Sequence, residues 1–134
     1  MGTLPSPWQD YPDVAGLDDA WTALASAGCA RVSLAGTSVD GRPIRSYTMG
    51  APDGEPVLLT GLMHGVEVVG ALALLDLARG LVAEPSSELL RHARIVVVPV
   101  VNPDAFHANC VRMASGLRAY QRCNARGVDI NRNF

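Results

Sequence analysis

The stretch Val57-Leu58-Leu59-Thr60-Gly61-Leu62-Met63-His64-Gly65-Val66-Glu67 decides the fold. Asp53-Gly54 turns the chain into it, and the apolar run over 57–62 predicts a buried strand. From Val66 to about Ala83 nearly every residue is a good helix former. Arg94-Ile95-Val96-Val97-Val98 then reads as a second strand covered on both faces, ended by Pro99, which has no N–H for a ladder. Strand, helix and strand make a βαβ crossover, so the fold class is α/β with a sheet flanked by helices. In such sheets ligands bind beyond the carboxyl ends of the strands. Met63-His64-Gly65 and Asn102-Pro103-Asp104 occupy those ends and are expected to lie close together.

Upstream, Val14, Leu17, Trp21 and Leu24 recur at helical spacing, with Asp13 placed to cap the start and Gly28 the end. Segments around Arg31–Leu34 and Ile44–Met49 flank Asp40-Gly41, a strong hairpin signal. Residues 1–12, with Pro5, Pro7 and Pro12, read as an extended lead-in. The residues after Pro99 read as a mixed tail. No repeat or linker divides the chain, so residues 1–134 are taken as a single unit.

The composition bounds what such a unit does. With 49% hydrophobic and 18% charged residues in 134, the chain has material for one packed core. A net charge of −2 makes no global case for nucleic acid, so no nucleic-acid partner is expected. His64, Glu67, Asp76 and Arg79 interrupt the longest apolar stretch, so no membrane span is expected. The start of the chain lacks a basic n-region and an apolar h-region, so no secretory signal is read there and a cytoplasmic location is expected. Cys29, Cys110 and Cys123 are odd in number and widely spaced, forming neither a disulfide framework nor a CxxC site. Charge is uneven along the chain, with 4 Arg against 11 acids over residues 1–90 and 7 Arg against 2 acids over 91–134. The basic third could serve an anionic ligand group or form a solvated face.

His64 and Glu67 stand three apart, so an imidazole nitrogen and a carboxylate could reach one metal ion from one face of a helix. The same pair also suits a polar strand end with a Glu in the first helical turn. At the other end, Gly127-Val128-Asp129-Ile130 could form a short strand delivering Asn131 and Arg132. A guanidinium beside an amide suits a carboxylate; a polar turn is the other reading.

Taken in order, His64-Gly65-Val66-Glu67, Pro99-Val100-Val101-Asn102-Pro103-Asp104 and Arg122-x-Asn124-x-x-Gly127-Val128-Asp129-Ile130-Asn131-Arg132-Asn133-Phe134 resemble the zinc metallocarboxypeptidases of the carboxypeptidase A type. Gly41-Arg42-Pro43-Ile44 resembles the segment before that family's first core strand. The resemblance runs from about residue 30 onward. It implies a mixed, mostly parallel sheet, of which this chain is the first half of the full domain. It implies zinc as cofactor, with His64 and Glu67 as two of three ligands and Asp129 as the carboxylate bonded to His64. It also implies Arg122 as the group that polarises the scissile carbonyl. Asn131 and Arg132 would grip the free C-terminal carboxylate of a peptide substrate.

The third ligand, the general base and the specificity pocket of the family would fall beyond Phe134, so the chain alone is expected to be inactive. His107 and His92 are its only other histidines. Ala105 stands where the family usually has Gly. That keeps open an N-acyl amino acid deacylase of related fold; murein-peptide amidases share the motifs and are a second alternative, beside a non-catalytic module that binds peptide C-termini. Half a sheet would also expose an edge and apolar surface, which suits self-association or the missing half of the domain as a partner.

Overall fold

A computed structural model describes residues 12–133. The extended lead-in read over residues 1–12 lies outside the described residues except for Pro12. Helix α1 spans Val14–Ser26, where Asp13 accepts a hydrogen bond from the Gly16 N–H at 2.8 Å. Strands β1 (Arg31–Thr37) and β2 (Pro43–Gly50) form the expected hairpin. Strand β3 (Glu55–Thr60), helix α2 (Val68–Ala83), the short α3 (Glu88–His92) and strand β4 (Ala93–Val98) follow. After them come α4 (Pro103–Ala114) and a 3-10 turn over Ile130–Arg132.

The sheet order is β1-β2-β4-β3. β3 and β4 pair in parallel across the α2 crossover, as the βαβ pattern requires. The other two pairings are antiparallel, so over the described residues the sheet is mixed rather than mostly parallel. The reason is the hairpin: a short turn can join only antiparallel strands.

One face of the sheet, carrying Tyr47, Met49, Ile95 and Val97, packs against Leu17, Trp21 and Leu24 of α1 and against Ala71, Leu72 and Leu75 of α2. The opposite face is thinly covered. β3 is an edge strand and not the buried strand expected, with Leu58 66% exposed beside half-buried Val96 and Val98. The apolar run of β3 is that of an inner strand, but among the described residues no strand pairs with its outer edge.

Helix α2 begins at Val68 rather than Val66, because residues 62–67 first turn the chain out of the sheet. Leu62 takes a left-handed conformation (φ 46°), and the Glu67 N–H bonds to the His64 carbonyl at 3.1 Å. The tail read after Pro99 holds α4, which carries a start signal of its own. Asn102 caps it by accepting from the Ala105 N–H at 3.2 Å, and Pro103 opens the first turn.

Asp104, buried in that first turn, ties α4 to the hairpin. Its carboxylate accepts from the Ser38 hydroxyl (2.7 Å), the Arg42 guanidinium (2.8 Å) and the Asp40 N–H (3.1 Å). Burial alone would push this carboxyl up, but the three donors together outweigh it and hold it below its ordinary 3.8. Asp104→Asn is expected to cost about 2 kcal/mol at neutral pH, the worth of a charge-assisted hydrogen bond, since Arg42 then keeps only its exposed pair with Asp40 at 3.3 Å. A carboxyl whose folded pKa is depressed stabilises fully above its unfolded value and loses that contribution as pH falls through the folded one. The difference between wild type and variant in urea unfolding should therefore narrow below about pH 4. A difference that widened on acidification would rule out the ionised clamp.

Candidate active site

The two parallel strands end on the same side, and the polar residues after them meet there. The Asn102 N–H bonds to the Leu62 carbonyl at 2.9 Å, and the Asn102 side chain donates to the Met63 carbonyl at 3.3 Å. Gly65 is forced by this approach: a Cβ there would lie 2.4 Å from the Cβ of Ala105.

His64 is buried and both of its ring nitrogens face carboxylates, Nδ1 at 2.9 Å from Glu67 Oε1 and Nε2 at 2.9 Å from Asp129 Oδ1. Glu67 stands at the cap position of α2, yet its side chain turns to His64 instead of capping the helix. The hydrogen bond to Asp129 raises the His64 pKa against the opposing effect of burial, with Glu67 adding to the rise. In return, the bond from His64 lowers the Asp129 pKa, assisted by Arg122.

Asp129 is the hub. Besides His64, it accepts from the Arg122 Nε–H at 3.2 Å and from the Asn131 N–H at 3.1 Å. The last bond opens the 3-10 turn, so residues 128–130 form no strand. Gly127 (φ 76°) and the Asn124 side chain, which accepts from the Arg126 and Val128 N–H groups, shape a turn instead. Asn131 and Arg132 are still presented at its end, exposed, and Arg132 makes no ion pair with a described residue.

The structure thus brings His64, Glu67, Arg122 and Asp129 together, with Asn131 joined through its backbone. Arg122 also lies within 3.9 Å of Glu67. The remaining histidines stand apart, His92 exposed beside Glu88 (3.0 Å) and His107 exposed on α4 in the groove facing α1. Among the described residues no three His, Cys, Asp or Glu side chains converge as a metal cage. The donor chemistry nevertheless fits two ligands of a zinc ion. An imidazole and a carboxylate face each other, and the ring's far nitrogen is held by a second carboxylate, as zinc-ligating histidines are. Sequence reasoning missed Asn109, whose buried amide joins the loops around His64 and Arg122; its only signal was a place two helical turns after Asn102.

The site is an imidazole–carboxylate cluster at the ends of the parallel strands of an α/β sheet. The sequence profile of the zinc carboxypeptidase family matches residues 19–134, and the chain belongs to that family. It is 35% identical to human carboxypeptidase Z over 127 residues, covering 84% of this chain and 19% of that protein. A metallo-carboxypeptidase from Burkholderia cenocepacia superposes with a TM-score of 0.72 at 22% identity, over 89% of this chain and 32% of that one. The thrombin-activatable fibrinolysis inhibitor gives 0.80 at 17% identity, over 98% and 36%. The chain therefore spans about a fifth of that curated relative and about a third of these two structures.

Proposed function

We propose that this chain supplies the metal-holding and carboxylate-gripping part of a zinc-dependent enzyme that removes the C-terminal residue of peptides. The observation that carries this reading is the His64 ring clamped between Glu67 and Asp129, with Arg122 and Asn131 bound to the same Asp129 carboxylate. His64 and Glu67 would hold the metal, and when bound, zinc supplies the Lewis acidity that makes a water nucleophilic near neutral pH. With the metal bound, Asp129 would keep the proton on His64 Nε2, leaving Nδ1, the nitrogen on the Glu67 side, for coordination.

Arg122 is half exposed and anchored through Nε, with Nη1 3.9 Å from Glu67, so Nη2 is the terminal nitrogen left to meet the oxygen of a scissile carbonyl as charge develops. Asn131 and Arg132 follow on the same turn and would take the substrate's terminal carboxylate. Because Asp129 touches both arms, the spacing between bond cleavage and carboxylate recognition is set by one side chain.

The third ligand and the general base come, in this reading, from residues outside the described stretch or from a second molecule. The β3 edge, unpaired among the described residues, and the face around Leu58 suit such a completion, since an uncovered edge strand is a template for pairing. The test uses an enzyme containing this chain together with the completing segment. Zinc should support release of the last residue from peptides with a free C-terminus, and chelation should stop it. Cleavage of N-acyl amino acids with no action on such peptides would favour the deacylase instead. In the same assay Arg132→Ala should raise KM for free-carboxylate peptides about 100-fold, from the loss of a charge-assisted pair of about 3 kcal/mol, with little effect on C-terminally amidated ones. Equal effects on both would remove Arg132 from this role.

A further inference from the structure

Asn109 lies on α4, seven residues after Asn102, on the face turned toward the site, and is only 2% exposed. Its side-chain amide is fully engaged. Nδ2 donates to the Gly65 carbonyl at 2.7 Å and to the Gln121 carbonyl at 2.9 Å, and Oδ1 accepts from the Gln121 N–H at 2.7 Å. Residues 117–122 belong to no helix or strand, so Gln121 finds in Asn109 the partner that a neighbouring strand would provide. A primary amide is suited to this because, like a peptide, it offers a donor and an acceptor side by side, with a second N–H to spare.

The position of the two joined residues gives the contact its meaning. Gly65 follows His64 directly, and Gln121 directly precedes Arg122. The bonds to the Arg122 carbonyl are longer, from the Gly65 N–H at 3.3 Å and from Asn102 Nδ2 at 3.4 Å, and beyond them the turn and the arm meet through the His64–Asp129 pair at 2.9 Å. We propose that Asn109 is a positioning residue for the carboxypeptidase reaction, fixing the distance between the metal-holding turn and the arm that carries Arg122 and Asp129. This rests on the functional reading of those residues given above, and Asn109 itself touches neither metal nor substrate.

A leucine of similar shape would remove the partner of three backbone groups, the Gly65 carbonyl among them buried, and an aspartate would set a negative charge against two carbonyls. The contacts holding the sheet and α1 to α2 do not involve Asn109, so its loss should loosen the site before the core.

The test uses the 134-residue chain, nitrogen-15 labelled and metal-free, observed by NMR. In the wild type the Gln121 amide should exchange with solvent at least about tenfold more slowly than an amide in an unstructured segment, although it lies outside regular structure. In Asn109→Ser, and in Asn109→Leu where that variant folds, three signals should move toward free side-chain values. These are the His64 ring nitrogens and the Arg122 Nε–H, while the amide resonances of β2, β4 and α2 stay in place. Added zinc should then bind about tenfold more weakly than to the wild type, the size of effect expected from a partner beyond the ligands themselves. Gln121 exchange at the unstructured rate in the wild type would overturn the proposal even if no variant folds. So would unmoved His64 and Arg122 signals in a folded variant. Failure of the wild type to bind zinc, with the NMR changes present, would count against the metal reading and leave the positioning role standing.

Discussion

Replacing Arg122 with alanine is expected to lower kcat of the active enzyme by about 100- to 1,000-fold, with KM changed far less. The expectation follows from where the guanidinium is held. Asp129 fixes Arg122 at Nε, so the terminal nitrogens are oriented before substrate arrives and need no reorganisation as charge builds on the carbonyl oxygen. A donor that strengthens its bond only in the transition state is lost mainly from kcat, at about 2.7–4 kcal/mol for one donor. Lysine should not restore it. A lysine ammonium cannot keep a bond to Asp129 while presenting a planar pair of donors to a second oxygen. Steady-state kinetics on a peptide with a free C-terminus measure both constants. A loss confined to KM would place Arg122 in substrate binding and leave the oxyanion without this donor.

The second large effect concerns the metal. His64→Ala is expected to weaken zinc binding by more than 100-fold, beyond the 10- to 100-fold loss that follows from removing a partner of a ligand. The wild-type chain, with two ligands brought together, should bind more weakly than about micromolar, roughly −8 kcal/mol. Calorimetric titration under reducing conditions reads both proteins. Wild-type binding at nanomolar or tighter would show that a third ligand is recruited within the chain or from a second copy, which sedimentation in the presence of zinc would then detect. Binding to His64→Ala within threefold of wild type would place the metal elsewhere, with the free thiols of Cys29, Cys110 and Cys123 the remaining soft donors.

Much of the frame was legible in the chain's local chemistry. The α1 helix with its Asp13 cap, the hairpin around Asp40-Gly41 and the β3–α2–β4 crossover all follow from periodicity and turn residues within a few positions of one another. The ordered motifs around His64, Asn102 and Asp129 carried the family relationship for the same reason: short segments whose spacing is fixed along the chain. What failed to read were features set by distant neighbours. The apolar run of β3 has the composition of an inner strand, and only the strand order shows that it lies at an edge. Val128–Ile130 has strand-like residues, yet the Asn124 and Asp129 side chains turn the backbone there. Helix α4 announced its start in Asn102-Pro103-Asp104, but the polar Asp104 and Asn109 on its buried face broke the apolar periodicity and hid it in an irregular tail.

The sequence by itself determined the α/β frame and the family and pointed to the candidate site residues, because each is encoded by local pattern. Only the tertiary structure decided how those residues work together. His64 meets Asp129 across 65 positions, and Asn109 reaches Gly65 across 44. Hydrogen bonds of that range depend on the packing of helices and loops against the sheet, and no spacing along the chain records them.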